Sequence, residues 1–215
     1  MKNPFVTLKN FYFDNMKLVN KFLLNQIALS IFGLMVCIPL QALGKSMGSD
    51  NPEFTGKLYT TIGSILASLF FLYLLYDNAW DEGVRDRNRV SNGRLAYRPF
   101  FGAKVALVAY IPTLVFVVPG VISAILRFFD LQFLAGVELV CQAIVMIFFG
   151  GTYVGIVFTF NTPHNIVMLI YALCLLPAIF AYMLGYRMGL NDKQLKTYIG
   201  MKPTLGVAEK SKKKK

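Results

Sequence analysis

Five long apolar runs constrain this chain more than any other feature. They cover approximately residues 22–43, 59–76, 101–126, 131–149 and 166–186. A spanning helix needs roughly 20 mostly apolar residues, because it rises about 1.5 Å per residue across about 30 Å of hydrocarbon. Hydrophobic residues make up 56% of the chain, against about 45–50% in soluble domains. The expected fold is therefore all-α, a polytopic transmembrane helix bundle over residues 21–187. An amphipathic segment (1–20) precedes it, lying on the membrane surface, and a basic tail (188–215) follows.

The formal net charge of +11 would suggest nucleic acid in a soluble protein. Here the basic residues lie outside the apolar runs and no nucleic-acid motif accompanies them. Charge is read instead as a topology signal and as an attraction for anionic headgroups. The 77–100 loop carries Arg85, Arg87, Arg89, Arg94 and Arg98, and Lys104 follows it. The 44–58 loop has only Lys45 and Lys57, against Asp50 and Glu53. The N-terminus and the 77–100 loop are thus expected in the cytosol. The tail, with Arg187, Lys193, Lys196, Lys202 and the terminal lysines, also belongs there.

A cytosolic tail requires an even number of crossings, and five runs make an odd one. Residues 150–162 offer a sixth, short or re-entrant segment, though they fall below the roughly 17 residues a crossing needs. Alternatively Pro119-Gly120 divides the third run, which also holds Pro112; a kink or break is expected at these prolines. A third solution keeps five crossings and puts the tail outside.

No phosphate-binding loop, zinc-protease helix, serine-nucleophile elbow or C-x-x-C pair is present. Cys37, Cys141 and Cys174 sit inside apolar runs without paired spacing, the pattern of small buried hydrophobes. The lone His164 lacks a nucleophile or companion ligand, so neither a metal, a cofactor nor an enzyme is expected.

Glu138 is the acidic residue set deep in an apolar run, about 10 Å in if its helix starts near Leu131. An ionised carboxylate is costly in hydrocarbon, so it should face the bundle interior, a cavity or a partner. Gln142 lies one turn on along the same face, and Gln132 precedes them. Together they would line a path for an ion or solute. The blander alternative is a protonated or hydrogen-bonded glutamate that holds helices together. Arg127 and Asp130 have the spacing of a local ion pair.

In the charged loop, Asp81 and Arg85 are four residues apart; Glu82 and Arg85, and Asp86 and Arg89, are three apart. These spacings let the second helix continue into the cytosol until Asn92-Gly93 turns it. Gly63 with Ala67, and Ser64 with Ser68, could let helices approach closely. Gly151 with Gly155, and Gly185 with Gly189, suit packing or flexibility near span ends.

Gly83, Arg85, Asp86, Asn88 and Val90, the downstream Gly93-Arg94 and the Leu184–Tyr186 ending form a pattern. It resembles small multi-pass membrane proteins of clostridia and related Gram-positive bacteria. The resemblance implies a bacterial plasma membrane and no particular activity. The expected role is a non-enzymatic membrane subunit or assembly factor, docking a membrane or cytosolic protein through the basic loop. The alternative is a small transporter or channel module around Glu138 and Gln142.

Overall fold

Capping chemistry and proline set the helix ends in the computed structural model, which describes residues 4–48, 51–127, 135–159 and 164–193. A short α1 (Pro4–Asp14) leads into α2 (Met16–Met47). Asn15 marks the join, its side-chain amide donating to the Phe11 carbonyl at 2.9 Å. The longest helix, α3 (Pro52–Ser91), starts where Asn51 accepts the Phe54 amide at 3.1 Å, with Pro52 and Glu53 in its first turn. It ends at Asn92 and Gly93, whose φ of +68° favours glycine. Residues 77–91 of the charged stretch are therefore helix, and only 92–100 form a loop.

The third apolar run is split into α4 (Phe101–Ala109) and α5 (Ile111–Arg127), bent by 59°. The break falls at Tyr110 rather than at Pro119-Gly120. Pro112 then occupies the first turn of α5, where a missing amide hydrogen costs little. Pro119 stays inside α5 without dividing it. Next come α6 (Ala135–Phe148), a 3-10 turn at Gly151–Tyr153 and the short α7 (Val154–Thr159). The last helix is α8 (His164–Leu190).

Three helices, α2, α3 and α8, are long and apolar enough to cross a membrane, or five spans result if each bent pair counts as one. The described residues contain no strand. Of the apolar windows in α2, α3 and α8, only 22%, 39% and 33% is buried. Leu24, Met35, Leu66, Leu69, Val115, Leu139 and Phe180 all point outward. A water-soluble monomer rarely leaves so much contiguous apolar surface uncovered. These helices are consistent with a membrane-embedded protein.

Packing between them runs through small residues. The α2–α3 hairpin closes with Gly44 on Thr55 and Gly56, and Gly63 on Leu40. Helices α3 and α8 run parallel. Gly185 lies on the Tyr76 carbonyl, Gly189 on that of Trp80, and Gly83 on that of Tyr186. Between helices in an apolar medium, close approach and dispersion rather than solvent exclusion drive such contacts. One end of the bundle collects the start of α2, the charged end of α3, the start of α4 and the end of α8. Phe22 meets Tyr182 there at 5.1 Å between ring centroids, and Phe101 meets Tyr186 at 5.3 Å.

The α6–α7 segment behaves differently. At Cys141, α6 lies against Gly120, which also faces Met168 near the start of α8. By Gly150 the chain has reached Tyr171. It then turns by 93°. Thr152 meets Ser64 and Ser68, and Gly155 then meets Thr60. The chain thus returns toward the end of the bundle from which it came.

Replacing Gly189 with Leu should disturb the α3–α8 contact and cost about 1–3 kcal/mol through overpacking. Gly136, whose added Cβ would meet nothing within 4 Å, should accept Ala at little cost. Thermal unfolding of both variants in detergent checks the contrast.

Candidate functional site

A helix that stops inside a bundle releases carbonyls at its end and amides at the next start. In an apolar slab each unpaired group costs several kcal/mol. The break after α6 resolves this group by group. The Val145 carbonyl accepts from the amides of Phe149 (2.9 Å) and Gly150 (2.7 Å). Ser30 Oγ on α2 donates to the carbonyls of Ile147 (3.0 Å) and Met146 (3.4 Å), and accepts from the Gly151 amide at 2.6 Å. Gln26 Nε2 reaches the Phe149 carbonyl at 3.4 Å. On the other side, Ser64 and Ser68 of α3 donate to the Thr152 carbonyl at 2.5 and 3.0 Å. Ser64 Oγ also accepts from the Ile156 amide at 3.4 Å.

Glycine is required because the backbones nearly touch. A Cβ on Gly151 would collide with the Ser30 carbonyl, and one on Gly155 with the Thr60 carbonyl. Gln26, Ser30 and Ser64 are at most 1% exposed. The cradle therefore sits in the interior, near the middle of the apolar stretch of α3. Not every polar atom there is satisfied. Gln26 Oε1, Tyr153 OH and Tyr171 OH are buried and find no hydrogen-bond partner among the described residues. Such atoms cost about 1–3 kcal/mol each.

Glu138 and Gln142 lie on the inward face of α6, 1% and 8% exposed, while Leu139 and Val140 face outward. They share this face with Cys141 and Val145, leading toward the break. Gln132 and Asp130 lie outside the described residues, as do the side chains of Arg127 and His164 and the terminal lysines. Cys37, Cys141 and Cys174 are free thiols. No group of His, Cys, Asp and Glu among the described residues could hold a metal.

On the charged end of α3, Arg85 pairs with Glu82 at 2.8 Å rather than with Asp81. Arg89 pairs with Asp86 at 3.2 Å, and Arg87 with Asp192 beyond α8. Two of the acids, Glu82 and Asp86, turn inward, whereas Asp81 is exposed. Asp86 is buried and accepts from Tyr186 OH at 2.8 Å, and the Glu82 side chain is only 17% exposed. The side chains of Arg85 and Arg89 are 67% and 65% exposed. Arg94 is exposed in the loop, and Arg98 lies over the Phe101 ring at 4.7 Å. Trp80 Nε1 donates to the Lys193 carbonyl at 2.8 Å, tying α3 to the chain after α8.

Compared with protein-family models, curated proteins and solved structures, the chain matches none of them.

Ser64→Ala or Ser68→Ala alone leaves the Thr152 carbonyl one donor and should cost about 1 kcal/mol. The double variant strands that carbonyl and should cost more than the sum of the singles. Chemical or thermal unfolding of the two single variants and the double reads this non-additivity directly.

Proposed function

We propose that this chain is a multi-pass component of a bacterial plasma membrane, without catalytic activity of its own. It acts as an accessory or assembly subunit that docks an acidic partner protein on its basic arm. The length of α3 is the observation that carries this role. Its 40 residues make a helix of about 60 Å, twice the roughly 30 Å of a hydrocarbon core. Residues 77–91, about 22 Å of helix, therefore stand clear of the lipid. The clasp of Asp86, Tyr186, Trp80 and the Arg87–Asp192 pair braces them against the end of α8. With Glu82 and Asp86 turned in, and Arg85, Arg89 and the following Arg94 turned out beside the exposed Asp81, this arm presents more positive than negative charge to a partner. Lys17 and Lys21, at the start of α2, suit anionic headgroups at the same rim.

In this arrangement the basic end faces the cytosol. Helices α2, α3, α4–α5 and α8 cross, and α6–α7 dips in from the outer side and returns. Four crossings keep Arg187 and Lys193 beside the arm, as the positive-inside rule asks. Reporter fusions after residue 193 and within 44–58 test the topology; an outside signal at the first or a cytosolic signal at the second sinks it. Reversing Arg85 and Arg89 to Glu should cut partner recovery from native membranes on the order of tenfold, by charge repulsion. Unchanged recovery refutes docking on the arm.

A second role, a small transport or channel module, draws support from the inward Glu138 and Gln142 on a helix that ends in a mid-bundle break. Discontinuous helices often mark transport sites. On this account Glu138→Gln abolishes solute flux into proteoliposomes while the protein stays folded. Flux equal to the parent's removes Glu138 from the path.

A further inference from the structure

Three residues at or against the break at Gly150–Gly151 each carry a buried polar atom that the break's own hydrogen-bond network leaves over. Gln26 spends its amide nitrogen on the Phe149 carbonyl, so its oxygen stays at the break without a donor. Gly150 is pressed onto the edge of the Tyr171 ring, 2.5 Å separating Cε1 from the point a Cβ would occupy. Tyr153 lies in the 3-10 turn itself, its amide on the Gly150 carbonyl at 2.9 Å and its ring 6.4 Å from that of Phe71. Gln26 and Tyr171 are each 1% exposed, and Tyr153 is 6% exposed.

We propose that this break binds a small uncharged hydroxyl-bearing guest, water or a small alcohol, between the Gln26 amide oxygen and the phenols of Tyr153 and Tyr171. The chemistry of the set selects that class. An amide oxygen only accepts, whereas a phenol both donates and accepts. A hydroxyl-bearing guest can donate to the first and accept from the others. A bare cation would leave both phenol protons unanswered. None of the groups named at the break carries a formal charge to balance an ion, which is costly to hold in an apolar interior. Buried polar sites of this kind are where ordered water is structural. Neither Glu138 nor the basic arm supplies a group to this site, so it stands or falls independently of both.

Removing a hydroxyl that has no partner should leave stability unchanged or raise it, whereas removing one that holds a guest should lower it. The test uses the full chain in detergent, with Tyr171→Phe, Tyr153→Phe and, as a control on an outward-facing ring, Tyr73→Phe. The first two should each lower the melting midpoint by about 2–4 °C, and the control should not. Two further measurements identify the guest. Radiolytic hydroxyl labelling of Tyr171, above the level at the equally buried Tyr186, with labelling of Tyr153 beside it, identifies water. A saturable rise in midpoint with ethylene glycol, present in the parent and lost in Tyr171→Phe, identifies an alcohol. Phe variants that melt at or above the parent overturn the site. So does a parent that shows neither the labelling nor the alcohol response.

Discussion

Inside an apolar slab, a backbone that leaves the helical path must find a partner for every amide and carbonyl it releases. That requirement organises this molecule. The turn at Gly150–Gly151 exists only because α2 offers Gln26 and Ser30, and α3 offers Ser64 and Ser68, at matching height. Those four side chains also explain why α2 and α3 pack as a close hairpin. Both must approach the same turn, and glycines at positions 33, 44, 56 and 63 keep their surfaces low enough to do so.

The spine of the bundle is α3. It packs on α2 along its first half, on α7 near Thr60 and Ser64, and on α8 along its second half. The two halves use different means. The first is held by serine hydroxyls on backbone carbonyls, the second by glycine against carbonyl and then, toward its charged end, by ion pairs. A neutral hydrogen bond is suited to the dry interior, where an ion pair would bear a large desolvation cost. In the charged end, Asp86 and Tyr186 are buried, but Arg89 and Asp192, which complete ion pairs with Asp86 and Arg87, are exposed to water.

Much of this was legible in the chain itself, for identifiable reasons. Apolar runs long enough to cross lipid have few other uses, so the main helices stand out. Charge spacing in 81–89 marks the extension of α3, and Asn92-Gly93 marks its end. The α4–α5 break illustrates the limit. Three candidate residues, Pro112, Pro119 and Gly120, look alike in sequence, and the choice of Pro112 depends on where the helix restarts. Asp86 reads as a solvated helix acid until α8 brings Tyr186 against it. The cradle was visible in pieces, as Ser64 with Ser68 and as the Gly-Gly break after a short fourth helix. Nothing local links them to Gln26 and Ser30, more than a hundred residues from the turn they hold. Attention to Glu138 alone misses the polar cluster at the break.

The continuity of α3 has a mechanical consequence. One unbroken rod carries the hydroxyls that grip the inner turn and, about 32 Å farther along by helix rise, the arginines that stand in water. A stiff helix transmits rotation about its axis with little loss. Torque applied at the wet end therefore arrives at Ser64 and Ser68 as a change in the angle at which they meet Thr152. The chain joins a handle to a latch without any hinge between them.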